Sequence, residues 1–150
     1  MSGKKKTLGM LCLVALCVYS CGNGGQTETV TEDSREMTEL TIMGGEADTI
    51  YNVGKILNDP VKLVGKEWLL QNTGKAMLYV DSVTTSCECI SLRYPDSMCT
   101  ARNSYFPVLA LLTPEGENRA FSHKIKVYGN FSRSPLTMTI EGELTDEVED

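Results

Sequence analysis

From Leu136 the chain alternates strictly: Leu136, Met138 and Ile140 are apolar, and Thr137, Thr139 and Glu141 beside them are polar. A period of two puts the apolar side chains on one face of an extended strand, whereas a helix would scatter them around its axis. The same alternation precedes it, with Ile125 and Val127 set against Lys124, Lys126 and Tyr128. Gly129 and Asn130 through Pro135 supply the turn between the two runs, so residues 124–141 predict a β-hairpin. Upstream, Trp68 and Leu70 lead to the turn Asn72-Thr73-Gly74-Lys75, followed by Leu78 and Val80, which predicts a second hairpin. The apolar run at residues 104–112 fits a buried strand, with Pro107 placing it at an edge, a bulge or a strand start. Residues 48–56 add another strand, and no window carries an amphipathic helical period. About seven short strands over residues 47–145 predict an immunoglobulin-like antiparallel β-sandwich with Trp68 in its core.

The chain before this domain has a different composition. Lys4, Lys5 and Lys6 precede the apolar stretch Leu8 to Ser20, which is too short to cross a bilayer and fits a secretory leader over residues 1–20. The run Val18-Tyr19-Ser20-Cys21 resembles the lipobox of bacterial lipoproteins, which implies lipidation of Cys21 after cleavage and attachment to a membrane of the cell envelope. Ordinary cleavage after Ala15 or Ser20 is the alternative. Residues 21–46 are polar and glycine-punctuated, without aromatic side chains, and read as a flexible tether. About 100 residues remain, enough for one core. Loss of residues 1–20 removes three lysines and no acids, taking the net charge from −6 to −9. That balance excludes a phosphate-backbone partner, which demands a basic patch, and it gives residues 146–150 the character of a solvated acidic tail.

Cysteines carry the remaining chemistry. Beyond Cys21 the exported chain would hold Cys87, Cys89 and Cys99, an odd number for an oxidising compartment. Val83, Cys87 and Cys89 share a parity opposite to that of Leu78 and Val80, so a bulge near Asp81-Ser82 is expected. Cys87 and Cys89, separated by one residue on a strand, stand about 6.6 Å apart at Cα, near the upper limit for a disulfide. The favoured pairing is therefore Cys99 with one of them, closing a loop through Arg93-Tyr94-Pro95-Asp96-Ser97. A local Cys87–Cys89 bond or reduced thiols, and a soft-metal site with Met98 or His123, stay open.

The segments around Asn72-Thr73-Gly74-Lys75, Ser86-Cys87-Glu88-Cys89-Ile90, Phe121 to Asn130 and Pro135 to Leu144 resemble an uncharacterised lipoprotein family of Gram-negative bacteria with a single Ig-like domain. Its pattern has an N-T-G-K turn and an S-C-G-C-T motif. The resemblance implies a fold related to Hydin-type and major-sperm-protein-like Ig domains, which bind or space other proteins. Glu88 stands at the family's glycine and Ile90 at its threonine.

Little else points to catalysis. The one histidine, His123 between Ser122 and Lys124, reads as an outward or strand-entry residue without a nucleophile beside it. No G-x-S-x-G elbow, phosphate loop or H-E-x-x-H pair occurs. Tyr79 and Tyr128, on the faces opposite Val80 and Val127, could contribute to an interface. The triplets at Asp48-Thr49-Ile50, Asp81-Ser82-Val83 and Asp96-Ser97-Met98 read first as turn formers and second as glycosylation acceptors. The expectation is a non-catalytic envelope lipoprotein that binds or spaces a protein partner, with no cofactor, metal, nucleic acid or small-molecule substrate. The alternative is a thiol-redox or soft-metal-binding protein built on Cys87 and Cys89.

Overall fold

A computed structural model describes residues 35–147 of the chain. The expected leader, the lipidation site Cys21 and the last three residues of the acidic tail lie outside the described residues. Among the described residues, nine strands form two facing sheets. In chain order they are β1 (Leu40–Ile42), β2 (Ile50–Leu57), β3 (Val64–Asn72), β4 (Leu78–Thr85), β5 (Ile90–Arg93), β6 (Cys99–Thr100), β7 (Tyr105–Leu112), β8 (Ala120–Gly129) and β9 (Leu136–Thr145). One sheet runs β1-β3-β7-β5 and the other β2-β9-β8-β4-β6. The sandwich expected from the alternation is present, with two strands more than counted and with β2 lying parallel to β9.

The alternation becomes the core. Trp68, Leu70, Phe106, Val108 and Ala110 from one sheet face Leu78, Ile125, Val127, Met138 and Ile140 from the other, and all ten are fully buried. Such side chains contribute about 1.5–3 kcal/mol each when removed from water. Trp68 also donates its indole N–H to the carbonyl of Asp48 at 2.7 Å, so its one polar atom is satisfied. Asp48 and Thr49 act locally, with Asp48 paired to Lys66 at 2.9 Å and the Thr49 hydroxyl donating to Glu46 O. Pro107 sits near the start of β7 opposite Leu69, where β5 no longer flanks the strand because its ladder ends at Arg93↔Leu109.

The β8–β9 hairpin forms as expected, with Val127↔Leu136 beside the turn. The second expected hairpin does not: β3 pairs with β1 and β7, while β4 pairs with β6 and β8. Asn72-Thr73-Gly74-Lys75 carries the chain from one sheet across to the other. Alternation on two neighbouring strands is the same whether they pair side by side or face each other across the core, which is why the pattern could not tell these cases apart.

The boundary of the tether also moves. Leu40 and Ile42 fall within the stretch expected to be a tether, yet both are buried in β1, whose ladder runs Leu40↔Asn72 to Ile42↔Leu70. Two buried asparagines hold this segment. The Asn72 side chain accepts from the Thr38 hydroxyl at 2.7 Å and donates to Ala76 O and Thr100 O. The Asn130 side chain accepts from Tyr79 N–H at 2.6 Å and donates to Glu36 O and Met77 O. Gly74 is required because Thr38 and Glu39 cross directly over it, and an added Cβ would stand 2.1 Å from the Thr38 hydroxyl. Among the described residues, the segment from Glu36 to Ile42, ahead of residue 47, therefore packs as part of the domain.

Candidate functional site

Registers fix two poles of the sandwich. At one, the N-terminal segment Thr38–Glu39 meets Gly74, and the loops at 101–104 and 129–135 close the sheets. At the other stand the β2–β3 loop at 58–63, the turn at 86–90, the loop at 113–119 and the start of β8. The cysteine pair belongs to this second pole.

The shift of parity expected at Asp81-Ser82 is present as a register irregularity between Val80 and Ser82. It turns Val83, and after it Thr85 and Cys87, toward the interior. Ser86 extends the pairing with β8 by one residue: its N–H donates to Lys124 O at 2.9 Å and its hydroxyl accepts from Lys124 N–H. The chain then bends. Ile90 N–H donates to Cys87 O at 3.2 Å, the Thr85 hydroxyl accepts from Cys87 N–H, and Cys89 O accepts from Thr113 N–H at 2.8 Å.

In that bend Cys87 and Cys89 are disulfide-bonded to each other, with Cα atoms 5.1 Å apart. A turn, unlike the extended strand assumed from sequence, shortens the separation into the ordinary disulfide range. The favoured pairing with Cys99 is thereby overturned. Cys99 pairs with Tyr79 at the opposite end of β4, and the six residue steps to Thr85 span about 20 Å. The chain after Ile90 runs down β5 in the other sheet and delivers Cys99 to the wrong pole. Met98, whose carbonyl accepts from Val80 N–H, goes with it.

His123 does come to the pair. Its candidate donor nitrogen and the two sulfurs lie within 4.8 Å of one another. It shares the inward parity of Phe121, Ile125 and Val127, so it is half-buried and not the outward residue expected. Parity counted back from Ile125 would have found it. The imidazole stacks on Phe121, with ring centroids 5.4 Å apart and planes at 17°. Partial burial pushes its pKa below the ordinary value of 6.5, because desolvation penalises the charged ring. A neutral imidazole beside two sulfurs offers one nitrogen and two sulfur donors when the disulfide is reduced. Glu88, between them, is exposed.

The loops of this pole are cross-tied. The Asn58 side chain donates to Gly116 O at 2.8 Å and accepts from Gly116 N–H at 3.1 Å. Asn118 donates to Asp146, so that part of the expected acidic tail is held against the domain. Val61 and Leu63, between these ties, are 85% and 55% exposed.

Residues 45–144 match the DUF1573 family, described as a protein of unknown function. The chain belongs to that family. No curated protein matches the chain significantly. A protein of unknown function from Porphyromonas gingivalis W83 is similar in structure, with 14% identity and a TM-score of 0.59 over 73% of this chain. This chain spans about half of that protein, 48% of its length. The human CEP192 ASH/PapD-like domain 7 has a TM-score of 0.57 at 10% identity, covering 85% of this chain and 98% of that domain. The Vibrio cholerae VesB protease aligns with 71% of this chain and 31% of its own, at 15% identity and a TM-score of 0.52. At these identities the likeness is one of fold, and the DUF1573 domain shares the Ig-like architecture of the PapD-like group.

Proposed function

We propose that this DUF1573 protein is a non-catalytic binding or spacing module of the cell envelope, anchored through lipid on Cys21, that presents its far pole to a protein partner. The carrying observation is the separation of the poles. The N-terminal segment enters beside Asn72 and Gly74, while Val61 and Leu63 stand exposed at the other end of the strands. An anchor at Cys21 would hold the first pole toward the membrane and aim the second away from it. The cross-tie from Asn58 to Gly116 supports the same reading, because fixed loops lose less conformational freedom on binding.

A photo-crosslinking residue placed at Val61 in intact cells tests the orientation against the same residue placed at the exposed Arg102 of the near pole. Defined adducts from position 61 alone are expected; equal adducts from both positions, or none from position 61, would reject the far pole as the binding surface. Anchoring has its own test. A Cys21→Ala chain should leave the membrane fraction, and unchanged sedimentation with membranes would remove the lipid from the proposal.

A further inference from the structure

We propose that Cys87, Cys89 and His123 form a redox-gated site for a soft monovalent cation, Cu(I), closed while the disulfide is intact and opened by a dithiol reductant. The argument starts from the backbone. The turn is held by Ile90 N–H to Cys87 O, Thr113 N–H to Cys89 O and the Ser86–Lys124 pair, none of which involves the sulfur–sulfur bond. Breaking that bond leaves these hydrogen bonds of the turn in place, so both thiols stay on the same bend and only their side chains turn apart. A disulfide between residues separated by one closes a very short loop, which removes little entropy from the unfolded chain, so stapling alone accounts poorly for the pair.

The third donor is placed independently, by β8. His123 lies opposite Ile140 in the β8–β9 ladder, and Phe121 backs its ring. Metal-bound sulfur and nitrogen sit about 2.3 and 2.0–2.1 Å from a small cation, so donors around one ion are separated by about 3.5–4 Å. A spread within 4.8 Å needs only side-chain rotation to reach that spacing. Two thiolates and one imidazole make a soft, three-donor set. Thiolates select Cu(I), which accepts three ligands, whereas a structural zinc site takes four, and no fourth Cys, His or carboxylate joins this group among the described residues.

The chemistry balances in two steps. A dithiol donor passes two electrons and two protons to the Cys87–Cys89 bond, the sulfur–sulfur bond breaks, two thiols form and the donor becomes a disulfide. Cu(I) then bonds both sulfurs and the imidazole nitrogen, and the two thiol protons leave to solvent.

The test uses the full chain in detergent, reduced by a phosphine and handled without oxygen, with Cu(I) supplied as its bicinchoninate complex. The reduced chain should withdraw one Cu(I) more per molecule than the oxidised chain. The Cys87→Ser/Cys89→Ser double variant, which keeps Cys99 and every other cysteine of the same preparation, should bind one Cu(I) fewer than the equally reduced wild type. His123→Gln should weaken binding of that one Cu(I) by at least tenfold and remove the imidazole signature from the copper X-ray absorption spectrum. Equal uptake by reduced and oxidised chains, or a double variant that binds as much Cu(I) as the equally reduced wild type, would overturn the proposal. So would an absorption spectrum unchanged by His123→Gln. Tryptic mapping secures the starting state: Ala76–Arg93 contains Cys87 and Cys89 and no other cysteine, so the closed site gives a peptide two hydrogens lighter than the reduced one.

Discussion

Asn72 ties the N-terminal segment to the near pole of the sandwich. It is fully buried, and its amide satisfies the Thr38 hydroxyl, Ala76 O and Thr100 O, which belong to three separate segments of chain. Buried polar groups that lose a partner retain the penalty of leaving water, about 1–3 kcal/mol each. Asn72→Ala should therefore destabilise the domain by about 3 kcal/mol or more, measured as a shift in urea midpoint, whereas Arg102→Ala at an exposed position of the same pole should be close to neutral. His123 makes a second prediction. Its pKa is lowered in the native state by partial burial, so above about pH 6.5 the ring is neutral in both states and contributes nothing to pH dependence. As pH falls through 6.5 the unfolded chain takes up the proton more readily, and native stability declines until the lower native pKa is passed. For the oxidised chain, the difference in stability between wild type and His123→Gln should drift against wild type from pH 7.5 to 5.5. A flat difference would show that burial does not tune this ring. Asn72 was visible in the sequence only as a turn former, because nothing in a turn motif says that a distant segment will hydrogen-bond to its side chain.

Among the elements, β1 carries the clearest correction. Three residues of alternation, Leu40-Thr41-Ile42, are too few to rise above a polar background, so composition assigned them to a tether. What recruits them is long-range: Gly74 leaves space for Thr38 and Glu39 to cross, Thr73 N–H donates to Glu39 O at 2.9 Å, and β3 offers an unpaired edge. The family match begins at residue 45, after β1. A chain starting at Gly45 should thus be less stable than one starting at Arg35, since it exposes the edge of β3 and returns Leu40 and Ile42 to water. The loss should be about 3 kcal/mol or more from those two side chains alone, read by denaturant titration. Equal midpoints would mean that β1 merely rests on the sheet. The cysteine turn illustrates the opposite case. Its parity shift was legible from Val80 and Val83, but its pairing was not, because pairing depends on β5 crossing to the other sheet and taking Cys99 to the far end of β4.

Across the whole molecule, alternation and turn signals were sufficient for the class of fold, since a chain of short one-faced strands can bury those faces only against another sheet. They were insufficient for the topology. Which strands share a sheet is decided by contacts such as Ile50↔Thr139 and Leu40↔Asn72, which join residues far apart in sequence. Those contacts also set how the domain unfolds. Both sheets contribute to one continuous core from Trp68 to Ile140, and β3 and β4 lie on opposite sides of it although they are neighbours in the chain. Neither sheet can keep its buried face covered once the other leaves, so loss of one exposes the whole apolar interior at once. Trp68, fully buried in the first sheet and the sole tryptophan, reports on that core, while far-UV circular dichroism weights all strands of both sheets. The two signals should therefore give the same urea midpoint and the same slope, in a single transition. A tryptophan transition that precedes the loss of β-signal would mean that the sheets come apart in stages, and would contradict the shared core.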